Sequence, residues 1–225
     1  MTADKITNKM PTTCKVVLFE KYYSLLMEYN DKFNITAITK KEEVVLKHFI
    51  DSVVNCEKVD CGKLIDIGSG GGFPAIPLKI MNDSLDVTLL EATGKKCDFL
   101  NVVIKELGLK NIRVINGRAE EFAYKEDFRE SFDFCTARAV ARLHVLCEYC
   151  LPFVKVGGTF VSYKGDAIEE LKEASSAIEI LGGSVKENYQ WTLDGAKRAL
   201  IYIEKIKNIG AKYPRSNGKI RKNPL

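Results

Sequence analysis

Leu64-Ile65-Asp66-Ile67-Gly68-Ser69-Gly70-Gly71-Gly72-Phe73-Pro74 is a short apolar run that closes in four glycines spread over five positions. A run of that length, ended by a glycine turn, predicts a buried parallel strand that hands over to a helix. Glycine suits such a turn because it takes positive φ and lets a ligand approach the backbone. A dinucleotide fingerprint needs Gly-x-Gly-x-x-Gly, and Phe73 stands where its third glycine belongs. Asp66, two before Gly68, adds a carboxylate that disfavours a pyrophosphate and tolerates a cationic ligand. S-adenosyl-L-methionine, with its sulfonium and amino acid head, fits this Asp-x-Gly-x-Gly-x-Gly turn.

Asp86 to Glu91 predicts a second strand whose last residue is an acid, 21 positions after Gly70. Alone, Glu91 reads as a solvated strand end. Coupled to the glycine turn, it stands where a ribose hydroxyl pair is held. Gly68, Gly70 and Glu91 are therefore expected cofactor contacts.

Around this centre strands and helices alternate. A helix is expected after Pro74, which is welcome in a first turn. Helix 95–107 stops at Gly108, followed by strand 112–116, strand 132–137, helix 143–150, strand 159–164 and helix 168–181. Segments 185–192 and 199–206 flank Asp194-Gly195 and read as a hairpin. The expected fold is α/β: a doubly wound, mostly parallel sheet ending in an antiparallel hairpin, the Rossmann-like architecture of class I S-adenosylmethionine-dependent methyltransferases. Two helices, about Val17–Asn30 and about Lys41–Asn55, precede it as a cap laid against the sheet. The division is a single methyltransferase domain: helical cap 16–60, core 61–208 and basic tail 209–225.

With 225 residues, 46% hydrophobic and 28% charged, the chain can build one good-sized core. It has no apolar run of 18 residues, and Met1 to Lys15 lack an apolar signal core, so neither membrane span nor export is expected. Seven scattered cysteines fit reduced thiols in a cytoplasm. Net charge is +4, yet Lys212, Arg215, Lys219, Arg221 and Lys222 place five positive charges on residues 212–225 with no acid, leaving about −1 elsewhere. Such a basic arm is either a nucleic-acid contact or a solubilising terminus. Tyr213 and Pro214 favour a docked segment.

Ala119 and Glu120 follow the third strand, where the crevice beyond the strand ends would bring them to an adenine ring. Glu120 and Glu121 equally suit a helix N-terminus. Arg138 and Arg142 follow the fourth strand and suit phosphate or base-edge contact, with surface ion pairs as the alternative. No Pro-Cys pair and no polar–Pro–Pro–aromatic segment occurs, so no catalytic nucleophile is assigned, and Cys135 reads as core. His144-x-x-Cys147-x-x-Cys150 lacks further ligands, so no metal is expected. His48 sits beside an apolar stripe and reads as a hydrogen-bonded structural histidine, with substrate contact as the alternative.

The ordered set Asn34-Ile-Thr36, His48-x-x-Asp51-Ser52, Leu64–Leu78, Leu89–Lys96, Arg118–Phe122, Ala137-Arg-Ala139, Lys164-Gly165 and Lys212–Leu225 resembles the bacterial glucose-inhibited division protein B family. These are guanine-N7 methyltransferases of 16S ribosomal RNA, in the small subunit. The resemblance implies S-adenosyl-L-methionine as cofactor, held at Gly68, Phe73, Ala119, Glu120 and Arg138. It implies ribosomal RNA in the assembled small subunit as partner, gripped by Arg138, Arg142, Lys212, Arg215, Lys219 and Arg221. Guanine N7 has a lone pair and no proton to lose, which agrees with the missing general base.

Overall fold

The computed structural model describes residues 13–225, so most of the start read as lacking an export signal lies outside the described residues. Helix α1 (Thr13–Phe33) turns Tyr22, Leu26 and Asn30 inward at four-residue spacing. It outruns the expected segment at both ends, and the Asn30 Oδ1 that accepts the Thr36 N–H at 2.8 Å turns the chain after it. The second cap helix is not uniform. Helix α2 (Lys41–Val44) passes through a π-helical stretch, Val45–Ile50, into α3 (Asp51–Val53). Such widened turns recur at functional sites, and this one aims Lys47, His48 and Asp51 at a common cavity.

Among the described residues the strands form one sheet ordered β3-β2-β1-β4-β5-β7-β6. They are β1 (Gly62–Ile67), β2 (Leu85–Glu91), β3 (Ile112–Asn116), β4 (Phe132–Arg138), β5 (Val154–Lys164), β6 (Gly183–Leu193) and β7 (Ala196–Lys205). Pairing is parallel through β3, β2, β1, β4 and β5, and antiparallel at β5–β7 and β6–β7. Burial on both faces explains the near-continuous apolar run of β1. Leu64 enters one core layer while Ile65 and Ile67 enter the other. Asp194 and Gly195 both take left-handed φ, +51° and +72°, the hairpin turn that the dipeptide predicts.

Helices α4 (Ala75–Met81) and α5 (Gly94–Leu107) cover one face, and α1 rests mainly on them rather than on the strands. Gly108 ends α5 in the left-handed region at φ +64°. Pro74 precedes α4 instead of lying in its first turn. The short α6 (Ala119–Phe122) follows β3, and α7 (Leu143–Cys150) lies on the opposite face. The helix expected over 168–181 is broken at Ala174 into α8 (Ile168–Glu173) and α9 (Ser175–Ile180). Strand order reverses between β1 and β4, and ligands of open α/β sheets bind at the carboxyl ends of the strands there. No helix of the described residues is long and apolar enough to cross a membrane.

Candidate active site at the carboxyl ends of the strands

Beyond β1 the backbone turns on Gly68 and Gly70, with φ of +68° and +57°. The Gly68 N–H donates to the Leu90 carbonyl at 2.8 Å, locking the tips of β1 and β2 together. A Cβ on Gly68 would lie 2.7 Å from Val140 Cγ2, so backbone and space both demand glycine here. Beside this turn, toward β3, opens a cavity of about 160 Å³ lined by Gly68, Leu90, Ala119, Glu120, Tyr149 and Arg221 among others.

Glu91, between the lining residues Leu90 and Ala92, is almost buried. Its Oε2 accepts the Gly70 N–H at 2.9 Å and its Oε1 accepts the Thr93 N–H at 2.8 Å. The carboxylate thus braces the glycine turn against the start of α5, and each oxygen keeps a further lone pair. Asp66 is buried inside the sheet instead of facing a ligand in the turn. Its Oδ1 accepts the Thr136 hydroxyl at 2.6 Å and its Oδ2 has no partner. Burial pushes its pKa up to about 7, against the lowering effect of the hydrogen bonds from Thr136 and Ser69. The carboxylate expected to favour a cation is therefore partly neutralised near pH 7 by its own burial.

A second cavity, of about 360 Å³, lies beyond β4 and β5. The π-helical stretch and α3 supply Lys47, His48 and Asp51, and the hairpin supplies Trp191 and Arg198. Arg138 organises its wall. Its Nη1 donates to the Ser52 hydroxyl and the Lys47 carbonyl, both at 3.3 Å, and pairs with Asp51 Oδ2 at 3.5 Å. Its Nη2 lies 3.3 Å from His48 Nδ1, and its guanidinium sits over the Phe73 ring. The His48 ring stacks on Phe73 at 4.6 Å between centroids and meets the Thr36 hydroxyl through Nε2 at 2.8 Å. Burial, helped by the Arg138 charge, holds its pKa down to about 4, so the imidazole is neutral at pH 7. Arg198 Nε approaches Asp51 Oδ1 at 3.3 Å, and the Trp191 Nε1–H is buried with no partner.

Two cavities therefore open at the carboxyl ends of the strands, one on each side of the switch point. A family model described as GidB, rRNA small subunit methyltransferase G, matches residues 15–201. The chain belongs to this family. It is 48% identical over 223 residues to the ribosomal RNA small subunit methyltransferase G of Desulforamulus reducens, covering 95% of this chain and 92% of that protein. Against the protein of the same name from Exiguobacterium sibiricum, identity is 46% over 213 residues, 92% of this chain and 90% of that one. Among solved structures, M. jannaschii TYW2 in complex with AdoMet superposes with a TM-score of 0.55 at 15% identity, covering 69% of this chain and 77% of that chain. That likeness is one of fold.

In this chain the residues singled out in the sequence divide unequally between the pockets. Gly68, Ala119 and Glu120 line the first. Gly70 and Glu91 brace it from behind. Phe73 does not line it: the ring is buried beneath the cap, stacked on Tyr22 and His48. Arg138 lines the second cavity, not the first. Arg142 is exposed and paired with Glu173 at 2.5 Å. Arg215 is engaged by the buried Glu148, Nη2 to Oε2 at 2.6 Å, while Lys212 and Lys219 are exposed. Cys135, Cys147 and Cys150 are core residues, and His144 faces Glu173 instead of them. Sequence reasoning missed Tyr149, Asn217, Trp191 and Arg198. Trp191, the sole tryptophan in a strand at the chain's hairpin, carried the one available signal.

Proposed function

We propose that this protein transfers a methyl group from S-adenosyl-L-methionine to N7 of a guanine in 16S ribosomal RNA, within the assembled small subunit and in the cytoplasm. Family membership supplies the reaction class and the RNA. The observation that carries the finer reading is the pair of cavities at the carboxyl ends of the strands, one lined by Gly68 and Val140 with a ribose-type acid behind them, the other lined by an aromatic ring and two arginines.

The residues of the first cavity fit the cofactor. Its backbone cradle excludes a Cβ at Gly68, and at Gly117 a Cβ would lie 2.2 Å from Phe122 Cε2. Glu91 keeps lone pairs for ribose hydroxyls. When bound, the cofactor supplies an electrophilic methyl on a sulfonium. Attack by the guanine N7 lone pair on that methyl would form the N–C bond as the S–C bond breaks and S-adenosylhomocysteine leaves; no proton would depart, so the protein needs no general base. The neutral His48 is consistent with that economy.

The chain's contribution is then position and charge. Trp191 offers a stacking face for a base turned out of its helix, since N7 in paired RNA lies in a groove side chains cannot reach. Arg138, held from four sides, fixes the wall against which the base sits. Asp51, buried between Arg138 and Arg198, holds both guanidinium groups in place at that wall. Gly70, Phe73 and Glu91 support the cofactor turn, whereas Arg142, Lys212 and Lys219 remain available to phosphates. The direct test is transfer of labelled methyl from S-adenosyl-L-methionine to small subunits lacking the modification. Label entering the RNA supports the reading; a protein that binds cofactor yet never labels RNA overturns it.

A further inference from the structure

The basic tail does not run free. Past β7 the Ile209 N–H donates to Glu130 Oε1 at 2.8 Å, and the Arg129 guanidinium holds the carbonyls of Ile209, Gly210 and Tyr213. Tyr213 and Pro214 are buried, and the Tyr124 hydroxyl donates to the Pro214 carbonyl. Glu148, buried in α7, accepts from both the backbone N–H and the guanidinium of Arg215. After these anchors comes α10 (Asn217–Lys222), whose Ile220 is wholly buried against the core layer.

The anchors deliver two side chains to the first cavity. Asn217 and Arg221 line it opposite Gly68 and Ala119. The Tyr149 hydroxyl, also in the lining, donates to Asn217 Oδ1 at 2.6 Å and interacts with Arg221. That bond fixes the amide flat side and leaves Asn217 Nδ2 and one Oδ1 lone pair for a ligand. An asparagine amide so held matches the N6/N7 edge of adenine, and a planar guanidinium can lie on the ring.

We infer that residues 209–222 form a strap that completes the adenosine end of the cofactor cavity, with Asn217 and Arg221 as cofactor contacts. This rests on the reading of that cavity given under the proposed function. The basic composition that marks the segment as an RNA arm has a second use: Arg215 and Arg221 are spent on docking and on the ligand, and Lys212, Lys219 and Lys222 face solvent. Because the strap docks and the ligand binds through the same wall, each stabilises the other by the same factor.

The test uses the full-length protein and S-adenosylhomocysteine. Titration calorimetry on N217A and R221A is expected to show affinity reduced about tenfold each, with thermal unfolding of the ligand-free protein unchanged; K222A, outside the lining, is expected to bind as the native protein does. Trypsin cleavage within 219–222 is expected to slow when the ligand is present. Affinities within twofold of native for both variants, or cleavage indifferent to ligand, would overturn the strap. Failure of the native protein to bind at all would instead overturn the cofactor reading on which it rests.

Discussion

At Gly68 a single hydrogen decides whether the first cavity exists. Its φ of +68° disfavours any side chain, and a Cβ would strike Val140, which lines the same cavity. Gly68→Val is expected to keep the fold, by circular dichroism, and to weaken S-adenosylhomocysteine at least ~100-fold; native affinity would remove the turn from the cofactor site. Asp66 makes a different demand. Its folded pKa, near 7, lies above the usual 3.8, so its proton is held more tightly in the folded chain. That stabilising contribution is full below about pH 3.8 and is lost as pH rises through about 7. Asp66→Asn is expected to gain stability relative to the native protein between pH 4 and pH 7, by up to ~1.4 kcal/mol per pH unit. His48 acts in the opposite sense: its depressed pKa makes the native chain more stable as pH rises from about 4 to 6.5, so only the paired comparison isolates Asp66. Urea unfolding of both proteins across this range measures the slope, and a pH-independent difference would contradict it. Both residues were visible in the sequence, but their protonation was not, because burial is a tertiary property.

Elements with strong periodicity and punctuated ends were legible: β3 and α7 match their expected bounds, and Asp194-Gly195 marks the hairpin. The π-helical stretch was not legible, since residues 41–53 carry an ordinary helical stripe and only packing around Arg138 selects the wider turn. The break at Ala174 likewise has no proline or glycine to announce it. The π-helical stretch contributes to the second cavity, so that cavity's composition could not be read beforehand. The hairpin's contribution is testable through Trp191. A base stacked on an aromatic ring gains ~1–3 kcal/mol by alanine substitution, so Trp191→Ala is expected to slow methyl transfer roughly 5- to 150-fold. Affinity for S-adenosylhomocysteine, assigned to the other cavity, is expected to stay within about twofold. Equal losses in both would place Trp191 in a role of general support instead.

Across the whole molecule the division of labour follows from topology. Strand order reverses between β1 and β4, leaving a crevice on each side of the glycine turn. The cap and hairpin close one side, and the C-terminal strap closes the other. The alternation of strands and helices made this architecture readable from sequence, and the glycine turn located its centre. Which arginine serves which pocket was not readable, because Arg138, Arg142, Arg215 and Arg221 are chemically alike and only their partners distinguish them. The chemistry proposed for the two crevices together comes down to one product. Small subunits labelled by this protein would be digested to nucleosides and the methylated species identified by mass spectrometry. The account predicts 7-methylguanosine; label on any other atom or base, such as an exocyclic amine or a pyrimidine carbon, would contradict it.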